Sequence, residues 1–120
     1  MSRHVPGQPS PPSITRHTVG GIAVVTLRGE IDYSSRDQLH EHLLSRDTAQ
    51  APRTVVDFTL VTFIDSTTVN ALVAAHRAAV RAHGWLRLAG LRPSARRVVE
   101  ITGLSTFISC YQDLRQALNG

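Results

Sequence analysis

Apolar and polar positions in this chain fall into two alternating rhythms. From about residue 14 the segment "ITRHTV" predicts a first, edge strand, the glycines at 20 and 21 a tight turn, and "IAVVTLR" a buried strand, so that a β-hairpin opens the domain. "GEID" at 29 to 32 leads into "YSSRDQLHEHLLS", where Ser35 followed three residues later by Gln38 has the form of a capping box and Leu39 and Leu43 point inward from a first helix. "RTVVDF" predicts the next buried strand, and "TLVTFID" carries the chain on to a joint. Beyond it Val69, Leu72, Val73, His76 and Val80 recur at three- and four-residue steps, predicting a second helix with that face inward and Gly84 as its left-handed stop. "WLRLAG" reads as a third buried strand. Pro93 suits the first turn of a helix over "SARRVVEITGL" that ends at Gly103 and Leu104, and a short strand near "FISC" and a helix over "QDLRQAL" follow.

Strands that alternate with helices favour parallel neighbours joined by right-handed crossovers. The expected fold is therefore α/β: a small mixed β-sheet of four to five strands with about four helices. Four of the six prolines stand at 6, 9, 11 and 12, so residues 1 to 13 are expected to form a disordered tail and 14 to 120 a single domain. At 120 residues one core suffices.

Composition narrows the chemistry. All thirteen basic residues are arginine, which excludes a P-loop lysine, a Schiff-base lysine and the lysine of a receiver domain. The arginines are spread without interleaved aromatics, so direct nucleic-acid binding is not expected. A single cysteine, Cys110, rules out an internal disulfide, a C-x-x-C pair and a multi-thiolate zinc site, and it reads as a small buried hydrophobe. His40 and His42 in "HEH" diverge on a helix, so no metal and no cofactor is expected. No stretch approaches the ~18 apolar residues of a membrane span, and "MSRHVPGQPSPPS" carries no apolar run of a signal peptide; the expected setting is cytoplasmic, away from membranes.

The joint itself, "TFIDSTTVNAL" at 62 to 72, places Asp65, Ser66, Thr67 and Thr68 at a helix start. Capping by Asp65 or Ser66 is one reading and contributes on the order of 1 kcal/mol. A hydrolase nucleophile is another, but a nucleophile elbow needs small flanking residues, and Ile64, Asp65, Thr67 and Thr68 are not small. His76, the only base at hand, lies about 15 Å along the same helix. The third reading is a phosphoacceptor, because free amides and the helix dipole accommodate a phosphate there.

Three segments, "LRGEID" at 27 to 32, "VVDFTLVTFIDSTTV" at 55 to 69 and "RPSARRVVEITGL" at 92 to 104, resemble in order and spacing the STAS domain family, and within it the small anti-sigma-factor antagonists of bacteria. The resemblance implies a non-enzymatic regulator. Such a protein binds an anti-sigma factor that is a serine kinase using Mg-ATP, releases the sigma factor, and is switched off by phosphorylation until a phosphatase restores it. Carried over, the acceptor is Ser66, with Thr67 and Thr68 behind it, and the partner surface comprises Glu30, Asp32, Asp65, Ser66 and Thr67. Thr67 and Thr68 depart from the family's serine-glycine, and Val69-Asn70 from its leucine-glycine. The alternative is a structural STAS module of a stress-signalling assembly, not phosphorylated in a sigma pathway. A homodimer is open to either, and neither names the sigma factor, kinase or phosphatase, nor decides whether nucleotide binds.

Overall fold

A computed structural model describes residues 12 to 44 and 51 to 120. The tail expected over 1 to 13 lies outside these residues except at its end, where Ser13 already pairs with Arg28.

Five strands form one sheet in the order β1-β2-β3-β4-β5. They are β1 (Ser13–Val19), β2 (Ile22–Ile31), β3 (Arg53–Ile64), β4 (Trp85–Ala89) and β5 (Ser109–Tyr111). β1 and β2 are antiparallel and the remaining pairs are parallel. Val19 faces Ile22 across the two glycines, whose φ angles of 55° and 80° match a type I′ hairpin turn. The helices are α1 (Arg36–Leu43), α2 (Ser66–Arg81), α3 (Pro93–Ile101) and α4 (Leu114–Asn119). Sequential strand order with right-handed crossovers places α1, α2 and α3 on one face of the sheet. The main core agrees: Leu39, Leu43, Leu72, Ala75 and Val99 pack with Val25, Leu27, Phe58 and Leu88. On the opposite face Ala117 of α4 joins a smaller cluster with Ile22, Val55 and Ala89.

The expected mixed α/β sheet is thus present, with local corrections. "RTVVDF" and "TLVTFI" are one twelve-residue strand. Opposite Thr26 to Arg28 this strand runs from Asp57 to Leu60, one residue more than its neighbour, and a second shift follows at Gly29. The first bulge is held by Asp57, whose carboxylate accepts from the Thr59 amide at 3.0 Å and its hydroxyl at 2.6 Å. The capping box does not form: Ser35 makes no side-chain cap, and a 3-10 turn, Tyr33–Ser35, precedes α1 and is capped by Asp32.

In α2 the buried face is Thr68, Ala71, Leu72, Ala75 and Ala79. Val69, Val73 and His76 are only half-buried and Val80 is 53% exposed, so the expected stripe lies at the edge of the true one. The helix stops in a Schellman turn one residue earlier than expected. His83, at φ 62°, is its left-handed residue, and the amides of His83 and Gly84 bond to Val80 O at 3.0 Å and Ala79 O at 2.7 Å. Gly84 is needed for another reason: a Cβ there would lie 1.8 Å from Pro52 O. Gly84→Ala is therefore expected to destabilise the fold by about 1 to 3 kcal/mol, read by urea denaturation, because backbone rather than a flexible side chain must move. An unchanged midpoint would mean that the Pro52 loop yields freely.

Cys110 is exposed at the edge strand β5, not buried. It stands on that short strand and lines, with Arg96 and Glu100 of α3, a cleft of about 390 Å³. Partial burial pushes the thiol pKa up, Arg96 opposes the shift and Glu100 adds to it. Fewer thiolates then exist at neutral pH than in a free cysteine. Iodoacetamide should alkylate Cys110 more slowly than N-acetylcysteine at pH 7.5, with the gap closing as pH rises; equal rates at pH 7.5 would contradict that balance.

Candidate functional site

The strands β2 and β3 end side by side, and their parallel register pairs Glu30 with Phe63 and Ile31 with Ile64. The next residues are Asp32 and Asp65. Both have the same extended backbone, with φ and ψ of −126° and −168° at Asp32 and −127° and −169° at Asp65. Each opens a helical segment and uses its carboxylate in the same way. Asp32 Oδ1 accepts from the Ser34 amide at 3.0 Å and the Ser34 hydroxyl at 2.6 Å, and Asp65 Oδ1 accepts from the Thr67 amide at 2.9 Å. The capping role expected at this joint therefore falls to Asp65.

That leaves Ser66 exposed at the first position of α2. The first intrahelical bond runs from the Val69 amide to Asp65 O at 3.3 Å, so the amides of Ser66 and Thr68 precede the helical ladder, at the positive end of a sixteen-residue helix. Its neighbours differ from it. Thr67 is half-buried, while Thr68 is fully buried and donates from Oγ1 to Ile31 O at 3.3 Å. Thr68 thus ties the first turn of α2 to the residue before the twin aspartate.

Glu30 is exposed, and Asp32 and Asp65 are half-buried. Three of the chain's nine acids therefore converge on one sheet end of a protein whose net charge is +4. All five candidate residues, Glu30, Asp32, Asp65, Ser66 and Thr67, lie at this end, on two adjacent strand-to-helix joints.

The surface also includes residues that the hydrophobic pattern did not single out. Phe63 is 47% and Leu60 42% exposed, and Tyr33 is 64% exposed with the Arg36 guanidinium 4.2 Å over its ring. The bulges in β3 break the two-residue alternation, giving the end of the strand a buried residue only at every third position. An apolar run therefore concealed two outward side chains. The available signal was Asp57-Phe58-Thr59, an aspartate two residues before a hydroxyl, the same spacing as in the two aspartate turns.

Chemically, this end of the sheet presents the exposed hydroxyl of Ser66 and the half-buried one of Thr67 beside three acids. Among the described residues no cluster of three or more histidine, cysteine, aspartate or glutamate side chains could hold a metal ion. No helix among those residues is long and apolar enough to cross a membrane.

Comparison with solved structures finds the same fold repeatedly. An anti-sigma factor antagonist from Mycobacterium paratuberculosis superposes with a TM-score of 0.80 at 25% identity, covering 91% of this chain and 92% of its own. The anti-sigma factor antagonist SpoIIAA in its unphosphorylated form gives 0.75 at 21% identity over 89% of this chain and 94% of that one. The Bacillus cell fate determinant SpoIIAA in its phosphorylated form gives 0.69 at 21% identity over 89% and 97%. A search of curated proteins finds no match to the sequence. The family model of the STAS domain matches residues 13 to 117, and with the five-stranded sheet and the aspartate-capped second helix this leads to one conclusion: the chain belongs to the STAS domain family.

Proposed function

We propose that this protein is a non-enzymatic anti-sigma-factor antagonist of the cytoplasm, which binds an anti-sigma serine kinase to release a sigma factor and is switched off by phosphorylation of Ser66. The observation that carries the reading is the division of labour at the joint. Asp65 caps, Thr68 is buried and bonded, Thr67 is half-buried, and Ser66 alone of the three hydroxyl residues is exposed at the helix N-terminus. The likeness to an antagonist at 25% identity supports it.

In the forward step the Ser66 hydroxyl oxygen attacks the γ-phosphorus of ATP, a phosphate ester forms, ADP leaves, and the hydroxyl proton passes to a base of the kinase. The new dianion stands beside free amides at the positive end of α2, so the fold tolerates it. A partner seated on Glu30, Asp32, Asp65, Ser66 and Thr67 meets roughly 1.5 to 2 added negative charges. The kinase departs, and a phosphatase reverses the modification.

The test is intact-mass measurement after incubation with a candidate anti-sigma kinase and Mg-ATP. The wild type should gain one phosphate and Ser66→Ala none, while the variant keeps its fold, since loss of a side chain that does not cap costs little. Phosphate on Thr67 would move the acceptor by one residue. Normal modification of Ser66→Ala would refute the assignment.

A further inference from the structure

Among the described residues the most exposed large apolar side chain lies away from Ser66. Ile101 is 77% exposed, Val80 53% and Phe107 48%; Val80 stands near the end of α2, Ile101 at the end of α3 and Phe107 on the segment that leads into β5. His76 and Val80 are one turn apart on α2, and the His76 ring lies 5.2 Å from that of Phe107. On α3 the side turned toward α2 is marked by Ser94, whose hydroxyl reaches Thr62 O of β3 at 3.5 Å. Ile101 follows Ser94 by seven residues and so shares that side. By these helical positions an apolar strip lies between the two helices, half-buried at Val69, Val73 and His76 and exposed at Val80, Ile101 and Phe107. His76 Nδ1, within it, is a buried polar atom with no hydrogen-bond partner.

The lips of the strip carry one sign of charge. Arg77 on α2 and Arg97 on α3 are exposed on its outer side. α2 contains no acidic residue, and the only acid of α3, Glu100, borders the Cys110 cleft on that helix's other flank. A second copy of this chain would bring like arginines against these in a two-fold contact. The acidic sheet end with Glu30, Asp32 and Asp65 shows the opposite chemistry, so one partner surface does not suit both.

We propose that the strip between α2 and α3 is a second docking surface, taking an amphipathic helix of a protein partner whose apolar side chains are flanked by carboxylates. A helix laid along two helices buries its apolar edge on Val80, Ile101 and Phe107 and brings its acids to Arg77 and Arg97. The inference stands independently of phosphorylation at Ser66.

The test uses the full chain and two synthetic helical peptides with leucines at positions i, i+3, i+4 and i+7. One carries glutamate and the other lysine at the flanking positions. Titration of 15N-labelled protein with the glutamate peptide should move amides of residues 69 to 81 and 98 to 107 in a saturable manner. Ile101→Ser should weaken binding at least about fivefold, and Arg77→Glu with Arg97→Glu about tenfold, with melting temperatures unchanged because these side chains are exposed. The proposal is overturned by absence of saturation, by equal affinity for the lysine peptide, or by shifts confined to the Ser66 end. It is also overturned if the free protein self-associates through this strip, shown by a sedimentation coefficient that rises with concentration and is lowered by Ile101→Ser; the occupant is then a second copy. Modification of Ser66 in the kinase assay is unaffected by any of these outcomes.

Discussion

Leu72→Ala is expected to lower the stability of the fold by about 2 to 5 kcal/mol. Leu72 is fully buried, at the centre of the α2 face that packs on the sheet, and it belongs to the main core with Phe58, Leu88 and Leu39. Truncation removes the transfer free energy of the lost methyl groups and leaves a cavity that helices on one side and strands on the other cannot close easily. The informative control is Val80→Ala on the same helix. Val80 is 53% exposed, so its truncation should stay within about 0.5 kcal/mol. Urea denaturation of both variants reads the rotation of α2 directly. If Leu72→Ala were as mild as Val80→Ala, the helix would be turned differently about its axis, and the outward placement of Ser66 would fall with it.

That rotation marks the limit of what the hydrophobic pattern could show. Five apolar or near-apolar positions, Val69, Leu72, Val73, His76 and Val80, keep a helical period, and the pattern made them one buried face. In the fold Leu72 shares the buried face with the small residues Ala71, Ala75 and Ala79 and the polar Thr68, because close packing of α2 on the sheet leaves room for few long side chains. Val69, Val73 and His76 are half-buried beside that face, and Val80 is exposed. Thr68 could not be recognised as a core residue from sequence, since its hydroxyl is satisfied by Ile31 O, thirty-seven positions away. The same kind of long-range fact decides Gly84, which looked like a helix stop and is instead the residue against which Pro52 O packs.

What local chemistry alone determines was legible. The alternation of strands with helices gave the layer architecture, and the two glycines gave the hairpin. Pro93 opens α3 as expected, and Gly103, with φ 78° and its amide on Glu100 O at 3.1 Å, ends it. At the joint an aspartate-serine pair between a strand and a helix was visible as such. Its duplication at Asp32 was not, because Ser35 and Gln38 imitate a capping box one turn further on. Asp32 wins that competition because it stands where β2 ends, already extended, with its carboxylate in reach of Ser34.

Ser66→Asp, under the proposed function, is expected to weaken binding of the anti-sigma kinase by about 30- to 5,000-fold, the equivalent of roughly 2 to 5 kcal/mol for an unpaired charge buried at an interface. The site sharpens the expectation. Ser66 projects from the start of α2 beside Asp65, and the neighbouring strand end carries Glu30 and Asp32, so a further carboxylate adds to an acidic surface rather than neutralising a basic one. Any cation the partner brings to those three acids is already engaged, and the added charge must shed water without a new counterpart. An aspartate holds one negative charge where a phosphate holds about 1.5 to 2, so the loss should lie toward the lower end of the range and deepen on true phosphorylation. The N-terminus of α2 offsets part of the cost within the folded protein, and the melting temperature should therefore hold or rise slightly while binding falls. Calorimetric titration of one kinase with wild type, Ser66→Ala and Ser66→Asp separates the contributions: Ser66→Ala should bind as wild type does, and Ser66→Asp should bind more weakly, by a margin that narrows in high salt insofar as the added charge stays wet. Equal affinity for all three would leave Ser66 able to accept phosphate but would remove electrostatic repulsion as the means by which phosphate releases the partner.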